Sequence, residues 1–269
     1  MSSHHNSLRW RSGVNLVVIA AALVAITVIT NAYSFNLMLR NFRQSLSSTA
    51  QIYTEQISGK VDKINSGSLE LVSLAASSQN YYTSSPLGRY LTQQDILTRL
   101  QDRIRYVESS DLYFFYRTDS DELLTALSNR PSTGSSYFWN QYLMLPPTQP
   151  ANTWFSVTCN GETWLMCYYN VSQVRVGAAV RAKTLLQSLY ADTGLVQDSG
   201  FALAGLDGTI VYSSQPDLMA CGTSLAGHIP ASLIVESHTV PEVGTLLLFR
   251  PSSDLLHQLS GSFGWLLLL

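Results

Sequence analysis

Apolar residues fall along this chain first as an unbroken block, then with a helical period, then in short alternating runs. No residue between Arg11 and Arg40 is charged, and Val14–Ile29 (VNLVVIAAALVAITVI) is almost wholly apolar. Those 28 uncharged residues extend roughly 42 Å as a helix, more than the ~30 Å hydrocarbon core of a bilayer requires. The pattern predicts a transmembrane helix over residues 13–39 behind a cytoplasmic N-terminus of residues 1–12. The apolar stretch exceeds the core of a secretory signal, Thr30-Asn31-Ala32 is a poor cleavage site, and Arg9 and Arg11 favour an inside N-terminus. At the other end Gly261–Leu269 (GSFGWLLLL) is apolar but covers only about 14 Å. The reading is an exit helix and the truncated start of a second transmembrane helix over residues 253–269; the alternative is a greasy tail packed on the domain.

Between these ends, Leu46, Ala50, Tyr53, Ile57, Val61, Ile64, Leu71, Leu74 and Ala75 recur at spacings of three, four and seven, which predicts a long stalk helix from Arg40 to about Ser78. Thr92-Gln-Gln-Asp95 resembles a capping box and predicts a second helix with Leu97, Leu100, Ile104 and Val107 on one face. After Asp111 the runs become short and β-like. Leu112–Tyr116 and Leu123–Leu127 flank a polar loop, and Trp154–Cys159 and Glu162–Asn170 flank Asn160-Gly161, a strong hairpin signal because both turn positions favour φ > 0. Val174–Val180 reads as the next strand and Lys183–Tyr190 as a connecting helix. Phe201–Gly205 and Thr209–Ser213 flank a Leu206-Asp207-Gly208 turn. Leu233–Val240 and Val243–Arg250 follow, and Ser253–Ser260 reads as the exit helix. This order is α+β: an N-terminal transmembrane helix, a long stalk helix and two antiparallel-sheet modules in tandem, then the start of a second transmembrane helix. Residues 40–182 would hold the stalk helices and the membrane-distal module, and residues 183–252 the connecting helix and the membrane-proximal module.

Composition removes several classes. Only 13% of residues are charged, and the net charge is −2 with no basic stripe, so nucleic-acid binding is not expected. A hydrophobic content of 46% with 14 Tyr, 9 Phe and 5 Trp builds packed cores rather than disorder. The three cysteines are no disulfide scaffold. In an Asn-Gly hairpin Cys159 and Cys167 lie about 17 Å apart along the strands and on opposite faces, which leaves Cys221 as the only one able to pair; the reading is three free thiols.

The order of parts resembles the double-Cache, PAS-like sensor domains of bacterial two-component sensor histidine kinases. The resemblance lies in the anchor and long helix, in Asp111–Tyr116 (DLYFFY) as a first strand, and in Val176–Val180 (VGAAV) as the last distal strand. Its most specific part is Phe201–Ser213 (FALAGLDGTIVYS), the strand, D-G turn and strand that opens the proximal module. It implies an extracytoplasmic sensing region of about residues 40–260 in the cell membrane, a small-molecule extracellular ligand and a kinase domain beyond these 269 residues, while the length of the stalk helix itself suits either packing on the domain or pairing with a second copy as a homodimer. The amino-acid receptors of that family carry a Tyr, Arg, Trp-Tyr and Asp signature. It cannot be laid onto Asp111–Val180, because Tyr137-Phe138-Trp139 lacks the spaced Arg before it, so the ligand class stays open.

Candidate ligand-binding residues are the loop aromatics Trp139, Tyr142 and Trp154, with Tyr113, Arg117 and Tyr168 facing them from strands. Aromatic faces with a few placed polar groups suit a small organic molecule or a sugar, although each aromatic is individually a plausible core residue and Arg117 a plausible turn residue paired with Asp119 or Asp121. No His or Cys spacing matches a metal motif, and no phosphate loop or nucleophile elbow occurs. Asp119, Asp121 and Glu122 read as a solvated hairpin tip rather than a Ca²⁺ site. No catalytic residue, metal or cofactor is therefore expected. The reading from another class is an anchored exported enzyme or assembly protein; closer ones are a chemoreceptor or a membrane-tethered regulator.

Overall fold

A computed structural model describes residues 3–78, 85–107, 110–120, 122–128, 151–159, 161–191, 199–226 and 229–253. The first element, α1, is one unbroken helix over Ser3–Ser78. Its first part is long and apolar enough to cross a membrane, and none of that stretch is buried. The chain divides into two compact units, one spanning Ser47–Asp254 and the other containing the start of α1 through Leu46.

Within the larger unit α1 buries one stripe: Ala50, Tyr53, Ile57, Val61, Ile64, Ser68, Leu71 and Ala75. These are the spacings read from the sequence, and each fully buried Ile, Leu or Val contributes roughly 1.5–3 kcal/mol. The second helix, α2 (Pro86–Tyr106), begins earlier than expected. Ser85 is its cap, accepting the Gly88 N–H at 3.1 Å, and Pro86 fills the first position, where a missing N–H costs nothing. Thr92 is inside the helix with its hydroxyl donating to the Gly88 carbonyl, so the capping-box reading is replaced by the Ser-Pro start.

Strands β1 (Leu112–Arg117), β2 (Glu122–Leu127), β3 (Phe155–Cys159), β4 (Glu162–Val171) and β5 (Val174–Arg181) form an antiparallel sheet ordered β2-β1-β5-β4-β3. Gly161 has φ 76° in the turn that pairs Cys159 with Glu162, the left-handed conformation the Asn-Gly dipeptide predicts. The connecting helix is two short ones, α3 (Ala182–Leu185) and α4 (Gln187–Ala191), broken at Leu186. A second sheet follows, ordered β7-β6-β9-β8, from β6 (Gly200–Gly205), β7 (Ile210–Ser213), β8 (Leu233–Val240) and β9 (Gly244–Pro251). One face of this sheet packs Ala202, Ala204, Ile210, Met219, Leu247 and Phe249 into a core. The opposite face turns to α1, where His238 Nε2 lies 3.2 Å from Ser47 Oγ. The α+β reading with two antiparallel sheets after a long apolar helix is the observed architecture. The expected exit helix and second span lie outside the described residues, apart from a helical turn starting at Ser252.

Candidate ligand-binding face

The two-residue period of a strand gives the first sheet two chemically different faces. Toward α1 point Tyr113 and Phe115 of β1 and Cys167 of β4. Tyr113 is fully buried, its hydroxyl donates to the Ile64 carbonyl at 3.4 Å, and it lies so close to Gly67 that a side chain there would strike the phenol oxygen. Burial pushes the Tyr113 phenol above its usual range, and pushes the Cys167 thiol up to about 12, with the nearby Glu242 carboxylate adding to the effect. Cys167 and Cys221 are free thiols.

The face turned away from α1 is assembled by register. Tyr116 of β1 pairs with Arg175 of β5, which pairs with Asn170 of β4; Phe114 pairs with Gly177, which pairs with Tyr168; Leu112 pairs with Ala179, which pairs with Met166. The middle strand thus has Gly177 between the rings of Phe114 and Tyr168, Ala179 between Leu112 and Met166, and an arginine toward each end. Arg175 is 8% exposed, and its guanidinium carbon lies 5.1 Å from the Tyr168 ring centroid and 5.8 Å from that of Tyr116, while Nε donates to Asn170 Oδ1 at 3.4 Å. A guanidinium over aromatic faces is stabilised by the ring quadrupoles, more so when desolvated. The Tyr168 phenol is raised by burial and partly pulled back by the Arg175 charge. Phe155 adds an edge contact to Tyr168, with ring centroids 6.0 Å apart.

At the other end of β5, Arg181 lies 5.1 Å over Trp164. Its backbone N–H donates to Asp111 Oδ2 at 2.8 Å, and its guanidinium is 3.7 Å from Asp111 Oδ1 and 3.9 Å from Glu162. Asp111 is 2% exposed and also accepts from the Ser128 hydroxyl, so this carboxylate ties β1, β5 and the end of β2 together.

Of the described residues singled out in the sequence, only Tyr168 stands on this face. Tyr113 points to α1. Arg117 lies at the β1–β2 tip in a bidentate pair with Asp119, whose carboxyl it holds below the usual range. Trp154 is buried and donates its indole N–H to Asn65 of α1 at 3.2 Å. Trp139 and Tyr142 lie outside the described residues. Sequence reasoning missed Tyr116 and Arg175; their alternation with Tyr113 and Val176 was visible, but their meeting depends on β1 pairing with β5, which no local signal announces. A separate cleft of about 440 Å³ between α1 and α2 is lined by Glu70, Leu74, Asp95, Arg99, Arg103 and Tyr106, among others. Its arginines are paired to its carboxylates, Arg103 with Glu70 and Arg99 with Asp95, as in a solvated groove. Among the described residues no group of His, Cys, Asp and Glu is placed to hold a metal.

No protein-family model matches the sequence, and no curated protein matches it. Solved structures do. The chain is similar to the periplasmic sensory domain of the Campylobacter jejuni chemoreceptor Tlp1, at 10% identity over 81% of this chain and 97% of that one, with a TM-score of 0.55. It is similar to Methyl-accepting Chemotaxis protein X at 9% identity over 79% and 97%, with a TM-score of 0.51. It is also similar to the sensory domain of the Campylobacter jejuni chemoreceptor Tlp3 with isoleucine bound, at 9% identity over 82% and 97%, with a TM-score of 0.50. At this identity the likeness is one of fold: a long helix carrying two antiparallel sheets, the arrangement that the double-Cache resemblance implies, is shared with these sensory domains.

Proposed function

We propose that this chain is the extracytoplasmic ligand-sensing region of a membrane-anchored signalling receptor. Residues 40–182 and 183–252 are its distal and proximal modules, and the N-terminus is cytoplasmic. The observation that carries the reading is Arg175, buried on the face of the first sheet away from α1 between the rings of Tyr116 and Tyr168. A desolvated guanidinium beside aromatic walls suits a small organic molecule that presents an anionic or accepting group to Arg175 and a flat or apolar body to the rings. The likeness to sensory domains, one of them solved with isoleucine, supports this use of the fold. The output, by the double-Cache resemblance, is a histidine kinase. A chemotaxis-type output is the second reading, favoured by the chemoreceptor neighbours. A homodimer belongs to the same reading, with the exposed Ile52 and Leu69 of α1 offering apolar contact; sedimentation of the chain in detergent checks it.

Thermal unfolding of the full chain in micelles, against organic acids, amino acids, sugars, amines and peptides, tests the function. A ligand at a hundred times its Kd stabilises the folded state by about 2.7 kcal/mol, or roughly 5–11 °C for a domain of this size. The shift is expected to disappear in Arg175→Met. A well-folded chain that no compound stabilises, or a shift indifferent to both Arg175→Met and Tyr168→Ala, overturns the reading.

A further inference from the structure

Among the described residues three that are not glycine hold a left-handed backbone: Asn152 (φ 65°), Ser172 (φ 54°) and Glu242 (φ 66°). Such residues persist where surrounding contacts over-determine them. Two of the three, Asn152 and Glu242, lie in segments that hydrogen-bond a single side chain on α1. Asn152 donates its N–H to the Tyr168 carbonyl at 2.9 Å and turns the chain just ahead of Trp154. Glu242 sits in the β8–β9 turn of the second sheet. The side chain is Asn65, whose Oδ1 accepts the Trp154 indole N–H at 3.2 Å and whose Nδ2 donates to Glu242 Oε2 at 2.6 Å. Both ends of one amide are used, with opposite polarity, so its orientation is set by the two partners. Earlier on the same helix Lys60 Nζ donates to the Leu185 carbonyl of α3 at 3.0 Å, a second polar tie from α1 to the segment joining the sheets.

We infer that Asn65 is a positioning residue that couples the segment entering β3, helix α1 and the β8–β9 turn of the second sheet. The inference rests on the sensing reading above. A ligand against Tyr168 acts on a group already tied to this node, since Asn152 bonds the Tyr168 backbone and Phe155, adjacent to Trp154, touches the Tyr168 ring. From there the contacts run without a gap through Trp154 and Asn65 to Glu242, and they do so on the helix whose first part is apolar enough to cross a membrane.

Hydrogen exchange on the full chain in lipid nanodiscs, with no ligand present, tests it. Trp154→Phe keeps one aromatic ring but removes the indole N–H together with the rest of the bicycle, and the Asn65→Asp background separates the lost hydrogen bond from the lost volume, which would act equally in both. The expected result is that the amides of Val243 and Gly244, which Trp154 does not touch in the hydrogen-bond chain, exchange at least about twofold faster, the low end of coupling within one hydrogen-bond network. The β7 amides are the internal reference. In Asn65→Asp, whose carboxylate still accepts from Trp154 but faces the Glu242 carboxylate, turn exchange is already raised and Trp154→Phe adds less than twofold. Should Asn65→Asp fail to fold, Glu242→Ala gives the same background from the other end. A turn that changes less than twofold in Trp154→Phe, or an effect that persists undiminished in the second variant, overturns the coupling. Because no ligand enters, failure here leaves the sensing reading intact, whereas a silent ligand panel removes the sensing role of the node and not the measured coupling between Trp154 and the turn.

Discussion

Replacing Gly177 by alanine tests the candidate face at its centre. A Cβ on Gly177 would lie 2.2 Å from the Cys167 carbonyl oxygen, 2.8 Å from Tyr168 Cα and 2.9 Å from the tip of the Phe114 ring. An ordinary contact begins near 3.4 Å, so the β4 backbone must retreat by roughly 1.2 Å. The ring can rotate away; the strand cannot, because β4 is held to β3 on its far side. Overpacking of this kind typically costs about 1–3 kcal/mol, and a clash with backbone belongs at about 3 kcal/mol. For a domain of this size that lowers Tm by roughly 6–12 °C. The sign is diagnostic, since glycine to alanine inside an unobstructed strand stabilises by roughly 0.5–1 kcal/mol. The assay is near-ultraviolet circular dichroism of the full chain in micelles, with the far-ultraviolet spectrum as control for fold. A Tm equal to or above that of the parent would refute the close approach of β4 and β5 and with it the described floor of the site. Any ligand stabilisation should weaken in the same variant, because Tyr168 moves with β4.

The opposite sign is expected at Gly59, a helix-interior glycine of α1 with nothing within 4 Å of an added Cβ: Gly59→Ala should raise Tm by about 2–4 °C, for a gain of about 1 kcal/mol. Asp111→Ala leaves the Arg181 backbone N–H without its buried acceptor and its guanidinium without the nearer of two carboxylates, and should destabilise by about 3–5 kcal/mol, read from urea midpoints; a change under about 1 kcal/mol would mean that Asp111 is no strand tie. At pH 8 a maleimide should label exposed Cys221 but spare Cys167 until unfolding, as peptide mass spectrometry would show. The raised Cys167 pKa also carries a pH signature. The folded thiol keeps its proton to about 12 against 9.0 for a solvated thiol, so its stabilising contribution is complete below pH 9 and is lost as pH climbs toward 12. Tyr169, also pushed up to about 12 by burial, acts in the same direction. Urea midpoints that stay level from pH 9 to 11 would contradict both.

Most strand limits were legible because turns mark them: Asn160-Gly161, Asp207-Gly208 and Pro241 each end a run within one residue of the observed limit. The stripe of α1 was legible because a helix covering a sheet must be apolar on one side only, and Ile57, Val61 and Ile64 are buried as their spacing predicts. The capping-box reading places the start of α2 too late, although Ser85-Pro86 carries the stronger signal. A capping box needs a free helix end, and Thr92 is enclosed by the turn before it. The pairing of Arg175 with Tyr116 was out of reach because alternation gives a residue its face but not its neighbour across a strand order of β2-β1-β5-β4-β3. Trp154 was within reach. Phe155 faces Tyr168, so the residue before it falls on the side of α1, where the structure places it against Asn65.

The two faces of the first sheet are consequences of one register, which is why fold and site cannot be varied separately. In β5 the residues facing α1 are Val174, Val176, Ala178 and Val180, all buried; those on the other face are Arg175, Gly177, Ala179 and Arg181. A slip of one residue against β1 and β4 would carry two guanidinium groups onto the apolar stripe of α1 and replace the aromatic-backed arginines by valines. An uncompensated buried charge costs several kcal/mol, a large fraction of the roughly 5–15 kcal/mol that holds a domain together. The arginines on the candidate face therefore also act as register pins. Arg175→Met is predicted to lose ligand stabilisation while keeping its melting temperature, because an apolar stem of similar length still packs on Tyr116 and Tyr168. Arg175→Glu reverses the charge over both rings and should lose both.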